Sequence, residues 1–321
     1  MTTQLQSRCD ALLQSYHEIS GESFWSSGRI MLAAAGLYLA TGKPLNIERI
    51  RECREMLRSR TGFLSDFRQS GEYIICCKLA MQSDPEMYFD RLADLYKKVL
   101  PGKFGDERGI LAAMLLADQG TNAEREAGIA KTKAIYEKMR RAHKALTSGE
   151  DLPFAAVMAL SAWSADEVFD RAEDAFRLLK KQFRAEQNAR QALSHNLSVC
   201  DGSIEALCEK ACRLYAPLRS VLGTGIYAAS LGTLAGFEAD ADELAAQVRE
   251  ADEYLKQFDP FKGFFGINRR DRCLYAVLCT ESAAADSEAA FRSAILSAVM
   301  QLTVIRYEQM VMTTNMLLYD S

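Results

Sequence analysis

One histidine in the middle of the chain lies among residue types that can bind or react with a ligand. His195 follows Ser194 and comes one or two helical turns after Asn188, Arg190 and Gln191. A neutral imidazole in such a place can act as a general base or form a hydrogen bond to a ligand. Alternatively, Ser194 and His195 satisfy each other or the backbone carbonyls of neighbouring helices. We favour this second interpretation, because no trio of nucleophile, base and orienting residue can be read from the sequence.

Two further residues extend this set of candidates. If the helices that carry His195 and Arg190 converge on a cavity, Tyr227 and Arg269 can join them there. We predict no catalytic residue. The candidate ligand-binding residues are His195, Asn188, Arg190, Tyr227 and Arg269.

Three cysteines near this histidine raise the question of a metal site. Cys208 and Cys212 have i, i+4 spacing, which places two thiolates on one helical face, and Cys200 or His195 could supply a third ligand. The sequence has neither Cys-x-x-Cys nor His-Glu-x-x-His, and it contains three histidines in all. We therefore interpret the cysteines as ordinary packing residues and predict no metal and no cofactor.

Two basic segments could contact the phosphates of a nucleic acid. They are Lys138–Lys144 and Asn268–Cys273, and Phe261 near the second could stack on a base. The chain as a whole carries 39 Lys and Arg against 43 Asp and Glu, a net charge of −4. Because nucleic-acid affinity depends on a positive field, we do not expect a nucleic-acid partner.

The elements that must position these residues are predicted to be helices. The sequence contains six prolines, almost no alternating apolar pattern, and many strong helix formers. Short polar residues that can cap a helix recur at intervals of 37 to 46 residues, each followed by acidic residues that suit the first turn. The predicted caps are Asn46, Asp84, Asn122, Ser164, Ser203, Asp240 and Asp286.

The pattern behind these caps predicts paired helices. Apolar residues recur 4, 8, 11 and 15 positions after four of the caps, which places them on one helical face. A second segment, rich in small residues, precedes each cap and is expected to pack as the inner helix of a hairpin. The sequence therefore predicts an all-α fold of about seven tandem helical hairpins, either an open α-solenoid or a closed α/α toroid.

The predicted hairpins are expected to form one array without a linker. Residues 1–27 are predicted to be an N-terminal capping helix and loop, and residues 28–321 a single array of αα-hairpins. The apolar segment 289–312 is interrupted by charged and amide side chains, so we interpret it as a buried terminal helix rather than a membrane span. The start of the chain lacks a secretory pattern and the nine cysteines suggest no disulfide framework, which favours the cytoplasm.

The segment NARQALSHNLSVCD resembles a known family. It is similar to the Asn-x-x-Gln-x-Leu-Ser-His-x-Leu segment of the uncharacterised bacterial domain-of-unknown-function 4003 family. The resemblance implies a bacterial, cytoplasmic, helical protein and supplies no activity. The matching residues are Asn188, Gln191, Leu193, Ser194, His195 and Leu197.

The architecture favours a function in binding. A helical array exposes one long concave face, so we expect a binding or scaffold protein whose partner is a protein, a peptide or a small molecule. The alternative is an enzyme of the α/α-toroid type, acting on a small molecule or peptide in a cavity lined by the inner helices. A third possibility is association of copies through the C-terminal helix. A closed ring would favour the enzyme and an open arc the binding module.

Overall fold

The computed structural model of the chain describes residues 1–22, 28–69, 71–99, 107–263 and 267–284. These ranges contain helices and short 3₁₀ turns and no strand, which confirms the all-α fold. The 3₁₀ turns are Asp66–Arg68, Gly149–Asp151 and Ile226–Ser230. The helices are α1 (Thr3–Glu22), α2 (Gly28–Thr41), α3 (Ile47–Arg60), α4 (Glu72–Ala80), α5 (Pro85–Val99), α6 (Glu107–Ala117), α7 (Asn122–Ala142), α8 (Leu152–Leu160), α9 (Ala165–Gln182), α10 (Gln187–Ser198), α11 (Ile204–Leu222), α12 (Leu231–Ala235), α13 (Ala241–Leu255) and α14 (Arg269–Ala284).

Most of the predicted caps begin a helix as expected. In each case a side-chain oxygen accepts a hydrogen bond from a backbone N–H group of the first turn, which would otherwise lack an acceptor. Ser164 also forms a capping box with Glu167. The confirmed caps are Asn46, Asp84, Ser164, Ser203 and Asp240.

The start of α7 differs from the prediction by one residue. Thr121, not Asn122, caps this helix, because the Thr121 hydroxyl accepts from the N–H of Glu124 while the Glu124 carboxylate accepts from the N–H of Thr121. This reciprocal pair satisfies two N–H groups at once, which a cap at Asn122 would not achieve. The predicted cap at Asp286 lies outside the described residues.

The helices form two layers that differ in burial. In α5, α9, α11 and α13 the positions 4, 8, 11 and 15 after the cap are all buried, as the register predicts. The other face of these helices is exposed, whereas every residue from Leu152 to Ala159 in α8 is buried. Small residues permit this close packing: a Cβ atom at Gly232 in α12 would lie 2.6 Å from the Cβ of Asn196 in α10.

Each odd-numbered helix packs antiparallel against the even-numbered helix that follows it. In five pairs a Lys or Arg from the first half of the odd helix donates to a carbonyl at the C-terminal end of its partner. The start of one helix therefore lies beside the end of the other, and the cation meets the negative end of the partner's dipole. The donors are Arg49, Arg91, Lys131, Arg171 and Lys210.

We expect the cation of the α9–α10 pair to contribute substantially to stability. Arg171 donates from Nε to the Ser198 carbonyl at 2.9 Å and from Nη2 to the Cys200 carbonyl at 2.7 Å. Arg171→Met keeps the length of the side chain but leaves these carbonyls unpaired, so urea denaturation should show a loss of about 2 kcal/mol. The control Arg177→Met removes an exposed ion pair with Asp174 and should cost less than about 0.5 kcal/mol. Equal losses in both variants would contradict this role.

The two ends of the array are in contact. Helix α14 packs against α1 and α2, and α13 packs against α1. Tyr254 donates its hydroxyl to Asp10 at 2.6 Å, and Arg29 forms an ion pair with Asp271 at 3.0 Å. The seven helix pairs that the described residues form therefore close into a ring, with the even helices inside. Of the two predicted architectures, the structure adopts the closed one.

The closed ring has two ends of different character. Because all pairs run in the same direction, the even helices α2 to α14 all begin at one end, which we call the N-terminal face. The connections 143–151, 183–186 and 223–225 lie at this face. The positive ends of the inner helix dipoles converge there, so this is the end of the ring that favours a polar or negatively charged group.

Candidate functional site

Three of the five candidate residues lie on the inner helix α10. Asn188 in its first turn is exposed, Arg190 is half-buried and His195 is 4% exposed. The hydroxyl of Ser194 donates to the carbonyl of Gln191 at 2.7 Å, so it is engaged by the backbone of its own helix. This geometry follows from the position of a serine inside a helix, three residues after its acceptor. The Ser194 hydroxyl therefore does not form a hydrogen bond with the imidazole of His195.

His195 carries a neutral, buried imidazole. Burial and the nearby His143 lower its pKa to about 3, because both disfavour the protonated ring. Its ring centroid lies 5.7 Å from that of Phe154 in α8. Among the residues that the structure describes, no group forms a hydrogen bond with the buried Nδ1 atom. A neutral ring nitrogen without a partner retains the capacity to form one hydrogen bond with a ligand.

A polar stripe connects this imidazole to the N-terminal face. Asn188, Gln191 and His195 have i, i+3, i+7 spacing and therefore lie on one side of α10. Gln191 donates from Nε2 to the Thr147 hydroxyl at 3.3 Å, so this side of the helix faces the connection 143–151. The stripe descends from an exposed asparagine, through a buried glutamine, to the buried histidine. All three residues lie on α10, as their spacing in the sequence predicts.

Arg190 lies beside the stripe and carries an unpaired charge. Its Nε atom is buried, and its guanidinium forms no hydrogen bond or ion pair within the described part of the chain. A buried guanidinium nitrogen normally has an acceptor, because removing such a donor from water without compensation is costly. Arg190 is therefore available to an acceptor supplied by a ligand.

Tyr227 and Arg269 occupy different surroundings from the α10 residues. Tyr227 is buried, and its hydroxyl donates to Asp271 at 2.6 Å. Asp271 also accepts from Arg29 and from Asn268, at 3.0 and 2.9 Å. Arg269 opens α14 at the N-terminal face and is exposed. The structure thus places Tyr227 in a cluster that joins α14 to α2, a connection that the sequence alone does not reveal.

One ionisable residue near the stripe was missed by the sequence interpretation. Asp151 lies at the end of the connection 143–151 and is buried. Burial is the largest influence and raises its pKa to about 7, although the Ser148 N–H, which donates to the carboxylate at 2.8 Å, lowers it. The Ser-x-x-Asp spacing of Ser148 and Asp151 is a capping-box signal that was available in the sequence. The burial of Asp151 depends on tertiary packing, so it could not be predicted from the sequence.

We expect Asp151 to make stability depend on pH in a defined direction. The carboxyl is neutral in the fold below about pH 7 but ionises in the unfolded chain near its ordinary pKa of 3.8. Its contribution is therefore present at acidic pH and is lost as the pH rises through the folded pKa. Asp151→Asn should remove this loss, so its free energy of unfolding relative to the wild type should rise by about 3 kcal/mol between about pH 5 and about pH 8. Urea denaturation at both pH values measures the difference, and a constant difference would contradict it.

The cysteines behave as packing residues in the described part of the chain. All nine are free thiols, and burial raises the pKa of Cys76 and Cys208 to about 12 and that of Cys212 to about 11. A protonated thiol is a poor nucleophile and a poor metal ligand. Among the described residues, no group of three His, Cys, Asp or Glu side chains could hold a metal ion.

The two basic segments lie on the exposed face of one helix and at the start of another. Arg140 and Arg141 lie on the exposed face at the end of α7, and Asn268 caps the first turn of α14 through hydrogen bonds to the N–H groups of Arg270 and Asp271. Of the helices within the described ranges, none combines the length and apolar character that a membrane span needs. The segment 289–312 lies outside these ranges.

Comparison with known proteins places the chain in a family. A family model described as a protein of unknown function (DUF4003) matches residues 15–310. The uncharacterised protein YeaA of Bacillus subtilis is 20% identical over 222 residues, which cover 66% of this chain and 66% of that relative. The chain thus matches just under two thirds of the relative's length. No solved structure matches. Because the family model spans the polar stripe and nearly all of the ring, the chain belongs to the DUF4003 family.

Proposed function

We propose that the protein binds a small polar molecule at the N-terminal face of the ring, beside α10. The observation that carries this proposal is the buried Nδ1 atom of His195, which has no hydrogen-bond partner among the described residues. A buried polar atom of this kind is unfavourable unless something satisfies it, and a ligand that does so gains a specific hydrogen bond in a site of low dielectric. The polar stripe provides a direction of approach from the exposed end of α10.

The properties of this imidazole favour recognition over acid–base catalysis. A general base works best when its pKa lies near the working pH, and the pKa of His195 is lowered to about 3. The raised pKa values of Cys208 and Cys212 also keep these thiols protonated at neutral pH. The closed ring is the architecture that favours the alternative of a toroid enzyme, but the ionisation of these groups favours binding.

The closure of the ring also changes which partners the proposal includes. An open array would present a concave groove to a protein or peptide, whereas a ring presents its two ends. We therefore place a small-molecule ligand first, and a protein or peptide partner stays a prediction from the sequence. Association of copies through the C-terminal helix also stays a prediction, because that helix lies outside the described residues.

Native mass spectrometry of the protein purified from its own host tests this function. We expect a small non-covalent adduct on the wild type that is absent from His195→Gln. The control His17→Gln alters an exposed histidine of α1 and should keep the adduct. Thermal melting establishes that the variants are folded. The absence of any small adduct from the wild type, or an equal adduct on His195→Gln, would overturn the proposal.

A further inference from the structure

The first turn of α10 is open to an acceptor from outside the chain. Its N-cap residue, Glu186, forms no capping hydrogen bond with its side chain. Within the described residues, the N–H groups of Gln187, Asn188 and Ala189 donate to no acceptor, and Ala189 is fully buried. Helix N-termini of this kind bind oxyanions, because several N–H groups and the positive end of the dipole point at the same place.

The charges around this turn also favour an anion. Arg190 follows the three free N–H groups directly and has no counter-ion in the described part of the chain. The nearest carboxylate in sequence, that of Glu186, accepts a hydrogen bond from the Thr224 hydroxyl at 3.2 Å, on the following connection. This contact holds the Glu186 side chain against residues 223–225 and away from a capping position. The guanidinium therefore lacks an internal partner although a carboxylate is four residues away.

His195 provides an independent indication that a ligand binds here. The residue is 4% exposed, and its buried Nδ1 atom has no partner in the part of the chain that the structure describes. It lies two turns below the open N–H groups on the stripe that begins at Asn188. Two groups without a partner among the described residues, the cationic Arg190 near the N-terminus of α10 and the neutral His195 further along, therefore lie on one helix. A ligand with a charged group and a polar remainder would satisfy both.

We propose that the N-terminus of α10 and Arg190 bind the oxyanion group, a phosphate or a carboxylate, of a small molecule whose uncharged part extends along the stripe to His195. This inference rests on the proposed binding function and adds the chemical class of the ligand. The N–H groups of Gln187, Asn188 and Ala189 donate to the oxyanion, and the guanidinium supplies the counter-charge. Glu186 weakens the site, because its carboxylate repels the bound anion.

Calorimetric titration with inorganic phosphate and with acetate, at constant ionic strength, tests the anion site. We expect saturable binding to the wild type of at least one of these probes, weakened at least about tenfold in Arg190→Gln. Arg184→Gln, an exposed arginine at the same face, is the matched control and should change the affinity less than about twofold. Glu186→Gln should tighten binding about threefold by removing the repulsion. Circular dichroism and melting establish that each variant is folded.

The outcomes separate this inference from the proposed function. No saturable binding, or equal binding to the wild type and Arg190→Gln, would overturn the anion site. If the native adduct depends on His195 but is unchanged in Arg190→Gln, the binding function stands and the oxyanion class is wrong. If Arg190→Gln abolishes phosphate binding while no adduct is ever found on the wild type, the site binds an adventitious ion only and both proposals fail.

Discussion

Asp271→Ala is expected to lower the free energy of unfolding by about 4 kcal/mol. The carboxylate is 6% exposed and accepts from Arg29 at 3.0 Å, from Tyr227 at 2.6 Å and from Asn268 at 2.9 Å. Removing it leaves a buried hydroxyl and a half-buried guanidinium without this partner, and breaking a buried charge pair on one side typically costs about 3–5 kcal/mol. The loss should concentrate where α14 meets α2, since this cluster joins the last helix pair to the first.

Two measurements check this expectation. Urea denaturation gives the total loss, and hydrogen exchange should show faster exchange in α1, α2 and α14 than in α7 and α8, because the ring opens at its seam. The control Glu253→Ala removes an exposed ion pair with Lys256 and should cost less than about 0.5 kcal/mol. A loss below about 1 kcal/mol for Asp271→Ala, or uniform exchange around the ring, would contradict the role of this cluster in closure.

Asp252→Ala is expected to lower the free energy of unfolding by a similar amount, because it breaks a different buried ion pair. Arg272 in α14 forms a bidentate ion pair with Asp252 in α13, in which Nε donates to Oδ1 at 2.8 Å and Nη2 donates to Oδ2 at 3.1 Å. The Arg272 and Asp252 side chains are 8% and 5% exposed. Because both charges are buried, either single substitution leaves the other charge unpaired at a cost of about 3–5 kcal/mol. We expect Asp252→Ala and Arg272→Met each to lose this much by urea denaturation.

The double variant distinguishes a lost pair from lost packing. With both charges removed, no unpaired charge remains, so Asp252→Leu combined with Arg272→Met should lose at least about 2 kcal/mol less than the sum of the corresponding single losses. Additive losses would show that the two side chains act independently and would contradict the expected coupling. This pair joins the two helices of one hairpin, whereas Asp271 joins opposite ends of the array. We therefore expect hydrogen exchange in these variants to show no selective acceleration where α1 and α14 meet.

For His195, the sequence predicts the position on the helix, whereas the structure decides the hydrogen-bond partners. The sequence favoured a histidine that pairs with Ser194 or with backbone carbonyls between helices. In the structure Ser194 bonds its own helix and the Nδ1 atom of His195 has no described partner. Residue type and helical spacing place Asn188, Gln191 and His195 on one stripe. Whether the imidazole is neutral or charged depends on burial by α8 and the connection 143–151, which sequence does not give.

The cations that cap the inner helices show the same limit. Arg91, Arg171 and Lys210 each stand seven residues after a helix cap, a regularity that is present in the sequence. Their acceptors are carbonyls of another helix, 26 to 27 residues away. The spacing therefore acquires a physical meaning only when the antiparallel packing of the pair is known.

Local interactions are the part of this protein that the sequence determines by itself. A helix cap acts over three residues and an apolar stripe repeats every three or four, so the all-α class, the caps and the buried positions could be predicted. Closure of the ring depends on contacts such as Arg29 with Asp271 and Asp10 with Tyr254, which are 242 and 244 residues apart. No local pattern encodes such a distance. The tertiary structure alone decided that the array closes, that its inner helices begin at one face, and that Arg190 and the Nδ1 atom of His195 lack a partner among the described residues.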